Sequence, residues 1–250
     1  MTNNGLVLLH GWAMNAAVWS DLHWPQTWQN RVMAPDLPGH GKMQESSAVD
    51  SLQVLADWFI AGAPRDRIWL GWSLGGMVLL QAVASMVAQG VGPLPPALVL
   101  VGVTPKFVND STWKYGIDAP VLQTFAENFS DYRNGIQRFL HLQLGNSRGQ
   151  RALAARVGRA LLERGIPADF TLSSGIEMLK NLDLRPLLSS IPMPVRVLQG
   201  SRDRVCSVAA ARYLVDHLPA GEYISFPHLG HMPFIEQPQQ FAAAICRGWV

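Results

Sequence analysis

Hydrophobic residues along this chain gather into six short runs: 5–10 (GLVLLH), 31–36 (RVMAPD), 67–71 (RIWLG), 97–103 (ALVLVGV), 194–200 (PVRVLQG) and 222–226 (EYISF). A strand wetted on one face alternates apolar and polar residues. Continuous runs of this length instead suit strands buried on both faces, as in a parallel sheet covered by helices. Between them, 51–61, 75–89, 207–217 and 238–249 read as helices. The order predicts an α/β fold of the doubly wound kind, with a mostly parallel sheet and helices on both faces. From 104 to about 192 the pattern changes to several helical stretches with no convincing buried strand. A compact domain rarely carries so long a structureless connection, so this segment is read as a helical insertion over the strand ends. The predicted division is a core of 1–104 and 193–250 and a helical cap, or lid, of 105–192.

The third run leads into IWLGWSLGGMVLLQAV at 68–83, where a glycine-flanked Ser73 separates a strand-like from a helix-like segment. A G-x-S-x-G placed between strand and helix forms a sharp turn that exposes its serine, and the crowding there demands tiny neighbours such as Gly71 and Gly75. The helix that follows aims free N–H groups and the positive end of its dipole at the place where an oxyanion would develop. A serine hydroxyl becomes a nucleophile only when a base takes its proton, which calls for a histidine oriented by a carboxylate. His231 is the best-placed base, in a loop after the last strand and before the last helix; His228 competes with it, and His217 sits late in a helix where a surface or capping role fits. Asp203 follows directly on the run 194–200, whereas Asp36 precedes the serine in a turn-forming PDLPGHG. The candidate triad is therefore Ser73, Asp203 and His231, in that chain order. The backbone N–H groups of Trp12, in the loop after the first strand, and Leu74 are the candidate oxyanion donors.

Composition changes this picture little. With 48% hydrophobic and 15% charged residues the chain suits a soluble enzyme rather than a disordered segment. No apolar run approaches the ~18–20 residues that span a bilayer, and MTNNGLVLLHGW lacks a basic leader, which predicts a cytoplasmic protein without membrane attachment. Cys206 and Cys246 are expected to be free structural thiols. The net charge of +2 conceals an uneven distribution: between Arg133 and Arg164 lie seven arginines, no lysine and one acid, Glu163. Widening the window to 127–169 admits Glu127, Asp131 and Asp169 and halves the excess. On a helix over 148–164, Arg148, Arg151, Arg156 and Arg159 share one face and Leu153, Val157 and Leu161 the opposite one. With Arg138 they make a candidate patch for an acidic partner. The alternative is a solvated amphipathic helix, partly neutralised by an Arg159–Glu163 pair. No nucleic-acid-binding motif accompanies the patch.

Taken in order, LLHGW, DLPGHG, GWSLGG, GSRDRVCS and GHMPFIEQP resemble the α/β-hydrolase family over nearly the whole chain. LVLLHGW, IWLGWSLGG, RFLHLQ and GIEMLKNLDLR look more narrowly like its branch of esterases that cleave the methyl ester of pimeloyl-acyl-carrier protein in biotin synthesis. That resemblance implies a serine carboxylesterase that needs no cofactor or metal, releases methanol, and takes acyl-carrier protein as partner and small esters as further substrates. It implies ligand contacts at Trp12, Ser73, Leu74, Phe139, Leu140, His141, Leu142, Gln143 and His231. A monomer is expected. Trp12, Trp72, Phe139, Met232 and Phe234 are candidates to line an apolar tunnel for the acyl chain. The first strand begins almost at the N-terminus, so the family's usual leading hairpin looks absent or vestigial. Other readings remain open: a broad short-chain carboxylesterase, a carbon–carbon bond hydrolase with the same triad, or a ligand receptor on the hydrolase fold.

Overall fold

Each of the six apolar runs contributes a strand: β1 Leu6–Leu9, β2 Val32–Met33, β3 Ile68–Trp72, β4 Leu98–Val101, β5 Val195–Gly200 and β6 Gly221–Phe226. The structure, a computed structural model, describes residues 5–45, 49–144 and 148–248. The strands form one sheet in the order β2-β1-β3-β4-β5-β6, and every pairing is parallel. β1, β3, β4 and β5 are buried along their whole length, as their unbroken apolar runs require, while the edge strands β2 and β6 are partly exposed. The run at 31–36 yields only two strand residues. Pro35 has no N–H to give a ladder, and Asp36 is drawn into side-chain bonds instead. No leading hairpin precedes β1 among the described residues.

Helices flank the sheet: α1 Leu52–Gly62, α2 Leu74–Gln89, α3 Ala119–Glu127, α4 Tyr132–Leu144, α5 Arg148–Arg164, α6 Asp169–Asn181, α7 Val208–His217, α8 Pro233–Glu236 and α9 Pro238–Cys246. Ser51 and Ser207 cap α1 and α7 by accepting the N–H groups of Val54 and Ala210. α2 ends where Gly90 turns left-handed. The end expected for the last helix, at 249, lies outside the described residues; α9 stops at Cys246. Between β4 and β5 the chain makes α3 to α6 and a 3-10 turn at Arg185–Ser190. After β1 the chain steps outward to β2, then crosses back to place β3 on the other side of β1. The connections leaving β1 and β3 therefore diverge and open a crevice at their carboxyl ends.

A buried polar staple closes one side of that crevice. Asp36 takes the N–H groups of Ala16 (2.7 Å) and Lys42 (2.8 Å) and both its oxygens lie 2.9 Å from Arg164 Nε, at the end of α5. Burial opposes its charge, yet the Arg164 guanidinium and the two backbone donors hold its carboxyl below the ordinary range. Asp36 thus serves the scaffold. His10 is fully buried; its Nδ1 donates to Gly11 O and its Nε2 accepts the Leu37 N–H, each at 2.9 Å. Burial and the neighbouring His40 push His10 down to about 3, and burial pushes His40 to about 4.

Both histidines therefore bind their protons more tightly when the chain unfolds, and stability should rise with pH between about 4 and 6.5, by up to ~1.4 kcal/mol per pH unit for each. Glu236, raised by burial, works against this trend at the acid end. Urea unfolding at pH 4.5, 5.5 and 6.5 is expected to give a midpoint that climbs with pH, and more shallowly in a His40→Gln variant. A midpoint flat across that range would contradict the assignment of two neutral buried imidazoles.

Candidate active site

Ser73 stands between β3 and α2 with φ 53° and ψ −122°, a strained conformation for a residue with a side chain. The turn holds because its glycines leave no room to relax: a Cβ on Gly75 would lie 2.4 Å from Leu9 O, and one on Gly71 would lie 2.5 Å from Gly76 N. The loop after β1 passes directly over the serine, since a Cβ on Gly11 would come within 3.1 Å of Ser73 Cβ. Leu74 is the first residue of α2, so its N–H has no partner within the helix. Among the described residues neither it nor the N–H of Trp12 meets a protein acceptor.

His231 and Asp203 come together from the loops after β6 and β5, with Nδ1 and Oδ2 2.7 Å apart and both side chains sealed from solvent. The carboxylate is otherwise fully occupied. Its Oδ1 accepts the N–H groups of Val205 (2.8 Å) and Cys206 (2.9 Å), and its Oδ2 also accepts Gln199 Nε2 at 2.9 Å. These donors fix the plane of the carboxylate. The imidazole is held by its own backbone, because Trp72 Nε1 donates to His231 O at 3.0 Å. Gly102, just past β4 with φ +53°, completes the enclosure: a Cβ there would sit 2.7 Å from His231 Nδ1 and 3.2 Å from Asp203 Oδ2. His228 and His217 are exposed, and the ring of His217 stacks on Tyr213 with its Nδ1 donating to Tyr213 O. Among the described residues no group of three or more His, Cys, Asp or Glu is arranged to hold a metal ion.

A profile of the alpha/beta hydrolase family matches residues 6–244, all but the ends of the chain. The chain belongs to the alpha/beta hydrolase family. It is 36% identical over 245 residues to a pimeloyl-[acyl-carrier protein] methyl ester esterase of Nitrosomonas europaea, covering 97% of this chain and 95% of the relative. A protein of the same description from Vibrio vulnificus is 36% identical over 237 residues, covering 94% of this chain and 90% of the relative. Among solved structures, a hydrolase from Oleispira antarctica superposes with a TM-score of 0.80 at 16% identity, over 97% of this chain and 89% of that one. An esterase from Exiguobacterium antarcticum gives 0.80 at 19% identity, over 97% and 90%. At those identities the two structures speak for the fold alone.

In this hydrolase the helices between β4 and β5 grip the loop after β1. Tyr132 OH of α4 donates to Ala13 O (2.7 Å), Asn15 Nδ2 donates to Leu161 O of α5 (2.9 Å), and Trp12 Nε1 donates to Leu172 O of α6 (3.0 Å). Gly175 lets α6 approach, since a Cβ there would lie 2.4 Å from Trp12 Cδ1. The aromatic tunnel candidates divide into two groups. Trp12 and Phe139 join Phe125 and Phe129 in one cluster under α3 and α4. Trp72 and Phe234 pack against each other and Trp19 in the core, and Met232 is fully buried. The stretch 139–143 is helical, so consecutive residues turn about 100° apart. Phe139, Leu140 and Gln143 are buried, His141 is half-buried and Leu142 is exposed.

Arg148, Arg151, Arg156 and Arg159 occupy the exposed face of α5, opposite the buried Val157 and Leu161. Arg156 is tied to Asp21, and Arg138 Nη1 donates to Asn128 Oδ1 at 3.2 Å. No Arg159–Glu163 ion pair forms among the described residues. Cys206 and Cys246 are free. Among the described residues no helix is long and apolar enough to cross a membrane. Sequence reasoning missed Gln199 and Gly102. Their positions beside a strand end were visible, but nothing local marked them as touching the Asp203 carboxylate.

Proposed function

We propose that this hydrolase is a serine carboxylesterase that cleaves the methyl ester of a pimeloyl chain borne on acyl-carrier protein. The observations that carry the mechanism are the sealed 2.7 Å His231–Asp203 bond and the strained Ser73, whose chain neighbour Trp72 donates its Nε1–H to His231 O. Ser73 Oγ attacks the ester carbonyl carbon while His231 Nε2 accepts its proton, and Asp203 stabilises the imidazolium. The tetrahedral oxyanion is met by the N–H groups of Trp12 and Leu74, where one such donor contributes about 2–4 kcal/mol. His231 returns the proton to the methoxide as the carbon–oxygen bond breaks, and methanol leaves. Water, deprotonated by His231, then attacks the acyl-serine; the free carboxylic acid departs and the proton returns to Ser73.

The names of the relatives and the arginine-rich face of α5 support the carrier-bound substrate. A basic surface near a cleft steers an acidic carrier and speeds its association. In the Arg151→Glu/Arg159→Glu variant, kcat/KM for the carrier-bound methyl ester is expected to fall by about tenfold or more, and more at low salt. Hydrolysis of p-nitrophenyl butyrate should stay within about twofold, since that ester needs no docking. Equal loss on both substrates would count against the docking face and indicate damage to the fold.

A further inference from the structure

A cavity of about 600 Å³ lies where α4 and the start of α5 meet the loops after β5 and β6. Its lining is rich in donors and poor in acceptors. Arg138 and His141 come from α4, Arg202 and Arg204 from the loop after β5, and His228 from the loop after β6. One carboxylate, Glu236, faces them, and its Oε1 is already bonded to the Gly230 N–H at 3.0 Å. Neither Arg202 nor Arg204 has a side-chain partner among the described residues. Gln143, also in the wall and only 6% exposed, has a buried Nε2 with no acceptor among the described residues, where His141 Nδ1 is likewise unpartnered. Buried polar atoms without partners are costly, and an anion at the mouth formed by the exposed Arg138, Arg202, Arg204 and His228 would relieve that cost.

We propose that this cavity is a binding site for a phosphate ester. A planar carboxylate matches one guanidinium fork well; a tetrahedral phosphate turns several acceptor oxygens in diverging directions and meets forks arriving from separate elements. The volume falls within the ~300–1,000 Å³ of small-molecule sites and exceeds what a bare ion fills, so the phosphate carries an organic group. Arg202 and Arg204 flank Asp203 in the chain, and Gly230 precedes His231, which places the cavity one wall away from the catalytic pair. Which phosphate binds here rests on the carrier-protein reading above: an acyl group on such a carrier hangs from an arm joined through a phosphodiester. The arm's phosphate would then be held while the ester reaches Ser73.

The test is direct binding. Phosphopantetheine and inorganic phosphate are titrated with the whole protein and followed by phosphorus NMR, with dephosphorylated pantetheine followed by calorimetry. The native protein is expected to bind phosphopantetheine saturably, and pantetheine at least about tenfold more weakly. The Arg202→Gln/Arg204→Gln variant should lose about tenfold or more in phosphopantetheine affinity while its Tm stays within about 3 °C. Should that variant fail to fold, Arg138→Gln on the opposite wall serves the same purpose. Inorganic phosphate binding as tightly as phosphopantetheine would assign the site to a free phosphate rather than the arm. No saturable phosphate binding, or affinity unchanged in the variants, overturns the proposal. Methyl ester turnover is scored separately: phosphate binding without turnover removes the esterase reading and leaves this site, and turnover without phosphate binding does the reverse.

Discussion

Ser73→Ala is expected to lower kcat on any ester by about a thousandfold or more and to abolish labelling by a fluorophosphonate, without loss of stability. The magnitude follows from removing the only atom that forms the covalent intermediate, which leaves just oxyanion stabilisation and binding. The reason for unchanged stability is equally specific. Ser73 makes no side-chain hydrogen bond among the described residues, and alanine at φ 53° carries the same backbone strain as serine. Denaturation midpoints should therefore coincide with the parent, so that lost turnover reports chemistry alone. A Ser73→Ala protein hydrolysing p-nitrophenyl esters at the parent rate would dispose of the proposed mechanism.

The second large effect is expected far from the nucleophile in sequence. In Gly102→Ala the new methyl would lie 2.7 Å from His231 Nδ1 and 3.2 Å from Asp203 Oδ2. The imidazole and carboxylate cannot both keep their places and their 2.7 Å bond. Asp203 is fixed by three further hydrogen bonds, so the ring is the part that moves. A base displaced by a fraction of an ångström or held in the wrong tautomer costs about a hundredfold or more in kcat. Because Gly102 also has φ +53°, alanine there should cost about 1 kcal/mol of stability on backbone grounds. Gly62, whose added Cβ meets nothing within 4 Å, is the control: Gly62→Ala should leave both kcat and stability close to the parent. If Gly102→Ala kept kcat within about twofold, the enclosure of the histidine by β4 would have no catalytic weight.

The strands and most helix limits were legible before any coordinates because they depend on neighbours in the chain. The buried runs at 97–103 and 194–200 became β4 and β5, and the helical segments read at 51–61 and 207–217 became α1 and α7. Periodicity also separated the two faces of α5, with Arg148, Arg151 and Arg159 outward and Val157 and Leu161 inward. What the exposed arginines touch was not legible. Arg156 reaches Asp21, 135 positions away, while the adjacent Glu163 makes no pair with Arg159. The aromatic residues show the same limit: Trp12 and Trp72 both lie in loops or strand ends of similar composition, yet one meets α6 and the other anchors the His231 loop.

By itself the sequence determined the alternation of parallel strands and helices and the glycine-framed bend at Ser73, since steric limits and hydrophobic period act over a few residues. Only the tertiary structure decided that Gln199 and Gly102 confine the His231–Asp203 pair, and that Asp36 serves the scaffold. It also decided which donors line the cavity between α4 and the loops after β5 and β6. Those contacts join residues far apart in the chain, such as Asp36 and Arg164, 128 positions from each other. Their geometry is set by how the sheet twists and how its loops meet, which no local pattern of side chains encodes.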